Sequence, residues 1–201
     1  MLSRDVVFWE VDTQADFMLP GGKLYVPGAE KILSNIQKLT QAARDGRVFL
    51  VSHGCYHPPN DPEFSTFPPH CVKGTSGADF VPEALTDKVL HVSNEPGTPM
   101  SIAGYKQVLL EKQTLDIFES RHVEDVLLQL DPKTHFVVFG VVTEYCVRFA
   151  AKGLLDRGRK VSVVQDAIET LSKAASDETI AELKAKGASM ITTGQALSLL
   201  S

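Results

Sequence analysis

The run from His135 to Val142 reads HFVVFGVV, continuous and rich in β-branched and aromatic residues where a half-exposed strand would alternate. A strand of that kind is buried on both faces. Asp5 to Val11, Arg47 to Ser52 and Lys160 to Val164 have the same character, and Lys88 to Val92 and Gln107 to Leu110 add shorter strands. Helical patterning lies between them. Ile32, Ile36, Leu39 and Ala43 recur at helical spacing after Pro27 and Gly28, with Gly46 as a C-terminal stop. Ser120 to Leu130 and Ser176 to Lys186 carry two more helices, while His53 to Thr75 has no clean period and reads as a loop. Buried strands alternating with helices predict an α/β fold: a three-layer α/β/α domain on a mainly parallel sheet, filling residues 1–201 as one unit.

Hydrophobic residues make up 43% and charged residues 22%, enough to bury a core and unlike a disordered or low-complexity chain. The net charge of −5 leaves no basic footprint for nucleic acid or an anionic membrane surface. The longest apolar runs fall far short of the roughly 18 residues of a membrane span. MLSRDVVFWEV lacks the apolar block and small-residue cleavage site of a signal peptide, and three cysteines do not make a disulfide framework. A cytoplasmic protein is expected.

Ligands of an open parallel sheet bind beyond the carboxyl ends of its strands, so reactive residues just past a strand end matter most. Asp12, the His53–His70 segment, Lys112 and Cys146 all occupy such places. In GVVTEYCVRFAAKGLL, Thr143 can cap a helix and leave Cys146 in its first turn, where the helix dipole lowers a thiol pKa. The competing reading is a small buried hydrophobe. Asp12 fits a general base for that thiol, or a turn cap; Lys112 fits an electrostatic partner, or a solvated side chain. His53, His57 and His70 cluster with Cys55, Asp61, Glu63 and Cys71, a donor set suited to zinc or iron, or a loop whose histidines cap turns around its prolines.

These segments resemble the isochorismatase-like superfamily of cysteine hydrolases, and within it the nicotinamidases. The likeness rests on VDTQADFMLPGGKLYVPGA, FPPHCVKGTSGADFVPE, EKQTLDIF, GVVTEYCVRFAAKGLLDRG and VVQDAI in that order. It implies a catalytic triad of Asp12, Lys112 and Cys146, an oxyanion site at the Val142 and Cys146 amides, and a cis peptide between Val141 and Val142. It also implies a substrate pocket lined by Phe17, Phe67 and Tyr145, with Phe67 at a position more often Trp, and a divalent metal on His57, Glu63 and His70. The Asp ligand of the nicotinamidases is Cys55 here, which favours zinc if the thiolate binds.

The function so implied is hydrolysis of nicotinamide or a related small carboxamide to the acid and ammonia through a Cys146 thioester. The expected partners are that small molecule and further copies of the chain in a homo-oligomer. The alternatives are a metal-independent amidase of a carbamoyl or ureido compound, and a non-catalytic binding protein on the same fold. Isochorismate is disfavoured, because its vinyl-ether hydrolysis does not use the cysteine retained here.

Overall fold

A computed structural model describes residues 5–97 and 101–200; the part of the signal-peptide reading that rests on residues 1–4 lies outside them. Seven strands form one sheet: β1 (Val6–Val11), β2 (Phe49–Cys55), β3 (Val89–Val92), β4 (Gln107–Lys112), β5 (His135–Gly140), β6 (Lys160–Ile168) and β7 (Ser189–Ile191). Their order is β3-β4-β2-β1-β5-β6-β7 and every neighbouring pair is parallel. The helices are α1 (Ala15–Met18), α2 (Leu33–Arg44), α3 (Val123–Leu127), α4 (Arg148–Asp156), α5 (Lys173–Ala185) and α6 (Thr193–Ser198).

Alternation along β1 divides the core. Phe8 packs on one face with Ile36 and Leu39 of α2 and Ala196 of α6. Val7, Trp9 and Val11 pack on the other with α3, α4 and Leu183 of α5. Burying a side chain such as Phe8 or Phe136 contributes about 2 to 3 kcal/mol, so the central strands anchor both layers. The three-layer parallel fold expected from the continuous apolar runs is the one found. Gly46, at φ 74°, ends α2 as anticipated.

Several boundaries differ. The helix expected over Ser120 to Leu130 shortens to α3, β5 stops at Gly140, and β7 and α6 had no counterpart in the sequence reading. Two extensions bear on function. β2 runs three residues past Ser52 and β4 two past Leu110, so His53, Cys55 and Lys112 are strand residues. Register pairs Cys55 with Lys112 and Val11 with both His53 and Gly140. Those pairings bring four strand ends to one rim.

Candidate active site

Asp12 leaves β1 with φ 50°, a left-handed conformation that Asp tolerates better than most residues. Its N–H donates to the His53 carbonyl at 2.9 Å, which ties it to β2. Next along the rim, β5 turns away at Gly140, with φ 117°; a Cβ there would lie 2.1 Å from the Val11 carbonyl oxygen. Only glycine lets the chain leave so close to β1. The Val141–Val142 peptide is cis, as the resemblance implied. A wide turn over Thr143–Val147 follows, closed by Val147 N–H donating to the Val142 carbonyl at 3.2 Å.

Thr143 does not cap a helix here: its hydroxyl and its N–H both donate to the Glu169 carbonyl, at 2.8 and 2.9 Å. Cys146 does lie in a first helical turn, the wide one over Thr143–Val147, which is kinked at Tyr145 and runs directly into α4 at Arg148.

One ammonium organises the site. The Lys112 Nζ lies 3.0 Å from Asp12 Oδ2, 3.5 Å from Cys146 Sγ and 2.9 Å from Cys55 Sγ, and Lys112 is wholly buried. On the other side of the carboxylate, His53 Nδ1 stands 3.4 Å from Asp12 Oδ1. Burial works to raise the Asp12 carboxyl, but the Lys112 ammonium and His53 outweigh it and hold it down to about 2. Burial and the Asp12 carboxylate push the Cys146 thiol well up, against the pull of Lys112. The lowered thiol expected from a helix end is therefore not found, because burial and then the Asp12 carboxylate act the other way. Burial opposes the charge on Lys112, yet Asp12 and the two thiols keep it firmly protonated.

The resting site is thus carboxylate, ammonium and thiol. Passing the thiol proton to Asp12 would leave a thiolate beside the same ammonium, exchanging one ion pair for another without changing the net charge. With Asp12 held low and the Cys146 thiol held high, that transfer is uphill in the resting site, so it has to accompany attack on the substrate rather than precede it. The Val142 N–H has no hydrogen-bond acceptor among the described residues, which leaves it open to an oxyanion.

Asp12 and Cys146 lie at the floor of a cleft of about 460 Å³, counting its open mouth, with Phe17, Phe67 and Tyr145 among its walls. Phe67 and Tyr145 meet edge to face with centroids 6.5 Å apart. All three aromatics expected at the pocket reach it.

Beside the cleft, ligand atoms of Cys55, His57 and His70 lie within 4.8 Å of one another. His57 Nδ1 pairs with Asp61 Oδ2 at 3.0 Å, and His57 Nε2 is buried without a partner among the described residues. His70 Nδ1 sits 2.8 Å from the Pro68 carbonyl, which leaves its Nε2 available. Imidazoles held through the outer nitrogen with the inner one free are the usual arrangement around a metal, and one thiolate with two imidazoles suits tetrahedral zinc. The residues therefore fit a cation. Glu63 joins a second group with His57 and Asp61, and it lines the cleft. His53 turns to Asp12 instead of this cluster. Cys71 also stands apart, its N–H donating to Asp16 Oδ2 at 2.7 Å.

Two supporting residues went unassigned in the sequence. The Gln14 amide accepts from the Cys55 N–H at 2.7 Å and donates to the Cys55 and Ala78 carbonyls at 2.6 and 2.8 Å, which fixes the end of β2. Asp16 receives the Lys23 N–H at 2.9 Å as well as that of Cys71, joining two loops around the cleft. The alternation of Asp12, Gln14 and Asp16 in VDTQADF was the available signal.

The isochorismatase domain model matches residues 7–96 and 99–195. The chain is 30% identical over 182 residues to the nicotinamidase/pyrazinamidase of Mycobacterium tuberculosis, covering 87% of this chain and 90% of that one. It is 25% identical over 206 residues to the nicotinamidase of Escherichia coli, covering 90% and 92%. Among solved structures, the pyrazinamidase of Pyrococcus horikoshii in complex with zinc superposes with a TM-score of 0.76 at 26% identity, over 94% of this chain and 99% of that one. An isochorismatase-like hydrolase from Alkaliphilus metalliredigens gives 0.79 at 25% identity, over 98% and 100%. Domain match, relatives and fold agree: the chain belongs to the isochorismatase family.

Proposed function

We propose that the chain is a nicotinamidase-like cysteine amidohydrolase, converting nicotinamide or a related small carboxamide to the acid and ammonia. The observation that carries this reading is the single buried ammonium, Lys112, in contact with both Asp12 and Cys146 at the floor of an aromatic-walled cleft. Phe17, Phe67 and Tyr145 hold the substrate ring. Asp12 takes the thiol proton as Cys146 Sγ attacks the carboxamide carbon, while Lys112 passes from the carboxylate to the thiolate. The Val142 and Cys146 N–H groups receive the oxyanion. Protonated Asp12 returns its proton to the leaving nitrogen, ammonia departs, and Asp12 then activates the water that cleaves the thioester.

Cys55, His57 and His70, with Glu63 at the rim, would hold a divalent cation, zinc by their chemistry. Bound there, it supplies a Lewis-acid anchor for a ring nitrogen of the substrate. The same reading places residues 1–201 in one domain that assembles as a homo-oligomer in the cytoplasm. Among the described residues no helix is long and apolar enough to cross a membrane.

A second reading, a metal-independent amidase of carbamoyl or ureido compounds, is favoured by one contact. Cys55 Sγ already accepts from Lys112 at 2.9 Å, a bond that competes with a cation. An ammonia-release screen across carboxamides and ureido compounds, with elemental analysis of protein purified without added metal, separates the two. Turnover of nicotinamide by zinc-containing protein supports the first, whereas turnover confined to ureido compounds by metal-free protein supports the second. No ammonia from any of them would refute both.

A further inference from the structure

The segment between β6 and α5, residues 169–172, passes along the mouth of the cleft and is tied to the turn that carries Cys146. Besides the two Thr143 bonds to the Glu169 carbonyl, Glu144 gathers three donors. Its Oε1 accepts the Leu171 and Ser172 N–H groups at 3.0 and 2.8 Å, and its Oε2 accepts the Thr170 hydroxyl at 2.6 Å. Five hydrogen bonds thus join two residues just before the nucleophile to a four-residue strap. Leu171, which that strap presents, lines the cleft while remaining 49% exposed. A large apolar side chain half open to solvent is a wall held in place by its backbone, not by burial.

We propose that Glu144 is a positioning residue for substrate selection: by fixing the strap, it sets Leu171 as the outer wall and makes the enzyme select single-ring carboxamides over fused-ring ones. The inference rests on the carboxamide reading above and adds its substrate class. A carboxylate is suited to this place because it accepts from two successive backbone amides and a hydroxyl, which an amide or alkyl side chain cannot do. Steric discrimination by one apolar wall is worth about 10- to 200-fold. Glu144 touches neither the sulfur nor the oxyanion position, so its loss should appear in binding of the ring more than in the chemical step.

The test compares Glu144→Ala and Leu171→Ala with the parent. Hydrogen exchange at the Leu171 amide should quicken at least about tenfold in Glu144→Ala, since it loses its acceptor, and less at Ser172, whose N–H also donates to the Thr170 hydroxyl oxygen at 3.2 Å. In both variants the preference for nicotinamide over quinoline-3-carboxamide, as a ratio of kcat/KM, should fall about tenfold, with most of the change in KM. The same preference is read as protection of Cys146 from iodoacetamide by each amide, which requires binding and no turnover. A parent that binds both amides but releases no ammonia would refute the carboxamide reading and leave the preference measurable as the ratio of protections. Exchange unchanged in Glu144→Ala, or a preference unchanged in Leu171→Ala, would overturn the proposal. Leu171→Ala keeps every strap hydrogen bond, so an unchanged preference in it overturns the proposal even if Glu144→Ala does not fold.

Discussion

Replacing Lys112 by Met removes the one cation that compensates Asp12 and keeps most of the side-chain volume. At 3.0 Å, with an effective dielectric constant of about 20, the pair interacts by about 5 kcal/mol. Removing one member of a buried pair usually costs about 3 to 5 kcal/mol, because the other charge is left without compensation. Lys112→Met should therefore lose about 3 kcal/mol or more in urea unfolding at pH 7. Asp12→Asn combined with Lys112→Met removes both charges and should recover at least about 2 kcal/mol of that loss.

The deficit should also depend on pH. In the parent, Asp12 is held at about 2, below its unfolded value, so it adds stability that is lost as pH falls from about 4 toward 2. Without Lys112, burial, the largest influence on the Asp12 carboxyl, raises it above its unfolded value. The variant then loses stability as pH rises through and beyond the carboxylate range. Its gap from the parent should widen between about pH 4 and neutrality. A Lys112→Met protein as stable as the parent at pH 7, or a double variant no more stable than Lys112→Met, would refute the ion-pair account.

Glu10, buried beside Ser52, is raised by burial to about 8, so the folded protein keeps a proton that the unfolded chain releases; stability should fall between about pH 4.5 and 8 by an amount on the order of 5 kcal/mol. Glu10→Gln should flatten that slope in urea unfolding across this range, and an unchanged slope would exclude Glu10 as its source. Cys55→Asp should keep metal binding but shift preference from zinc toward manganese or magnesium, and Cys55→Ala should lose affinity; equal affinities in metal titrations of parent and both variants would exclude Cys55 as a ligand. Gly140→Ala forces a side chain to within 2.1 Å of the Val11 carbonyl at φ 117° and should cost about 3 kcal/mol or more, read by urea unfolding.

The sheet was legible because β1, β5 and β6 are continuous apolar runs that admit little besides a doubly covered strand. The strand ends were not. His53, Cys55 and Lys112 break the apolar pattern because their side chains serve the rim, and Gly54 because a Cβ there would lie 2.7 Å from the Gln14 amide oxygen; periodicity reads such residues as loop. β7 and α6 are short and half exposed, with too few apolar positions to show a period. Asp12, Lys112 and Cys146 could be found because each follows or ends a strand. The local chemistry around Cys146 was misread for a physical reason: the Thr143 hydroxyl looks like a cap in sequence, but a carbonyl 26 residues later takes it. His53 was grouped with the metal-type donors by proximity along the chain. In the structure its Nδ1 faces Asp12 Oδ1 at 3.4 Å, while Cys55, His57 and His70 gather without it.

The thioester account is tested most directly by ammonia release from nicotinamide by purified Cys146→Ala, with thermal unfolding as the measure of its fold. Turnover should drop by on the order of 10³-fold or more while the melting transition stays cooperative and close to that of the parent, because Cys146 is the thiol hydrogen-bonded to Asp12, whereas Cys55, on the same cleft, is held by Lys112. A cooperatively folded Cys146→Ala protein that still releases ammonia at a rate near the parent's would show that the reaction does not pass through this sulfur.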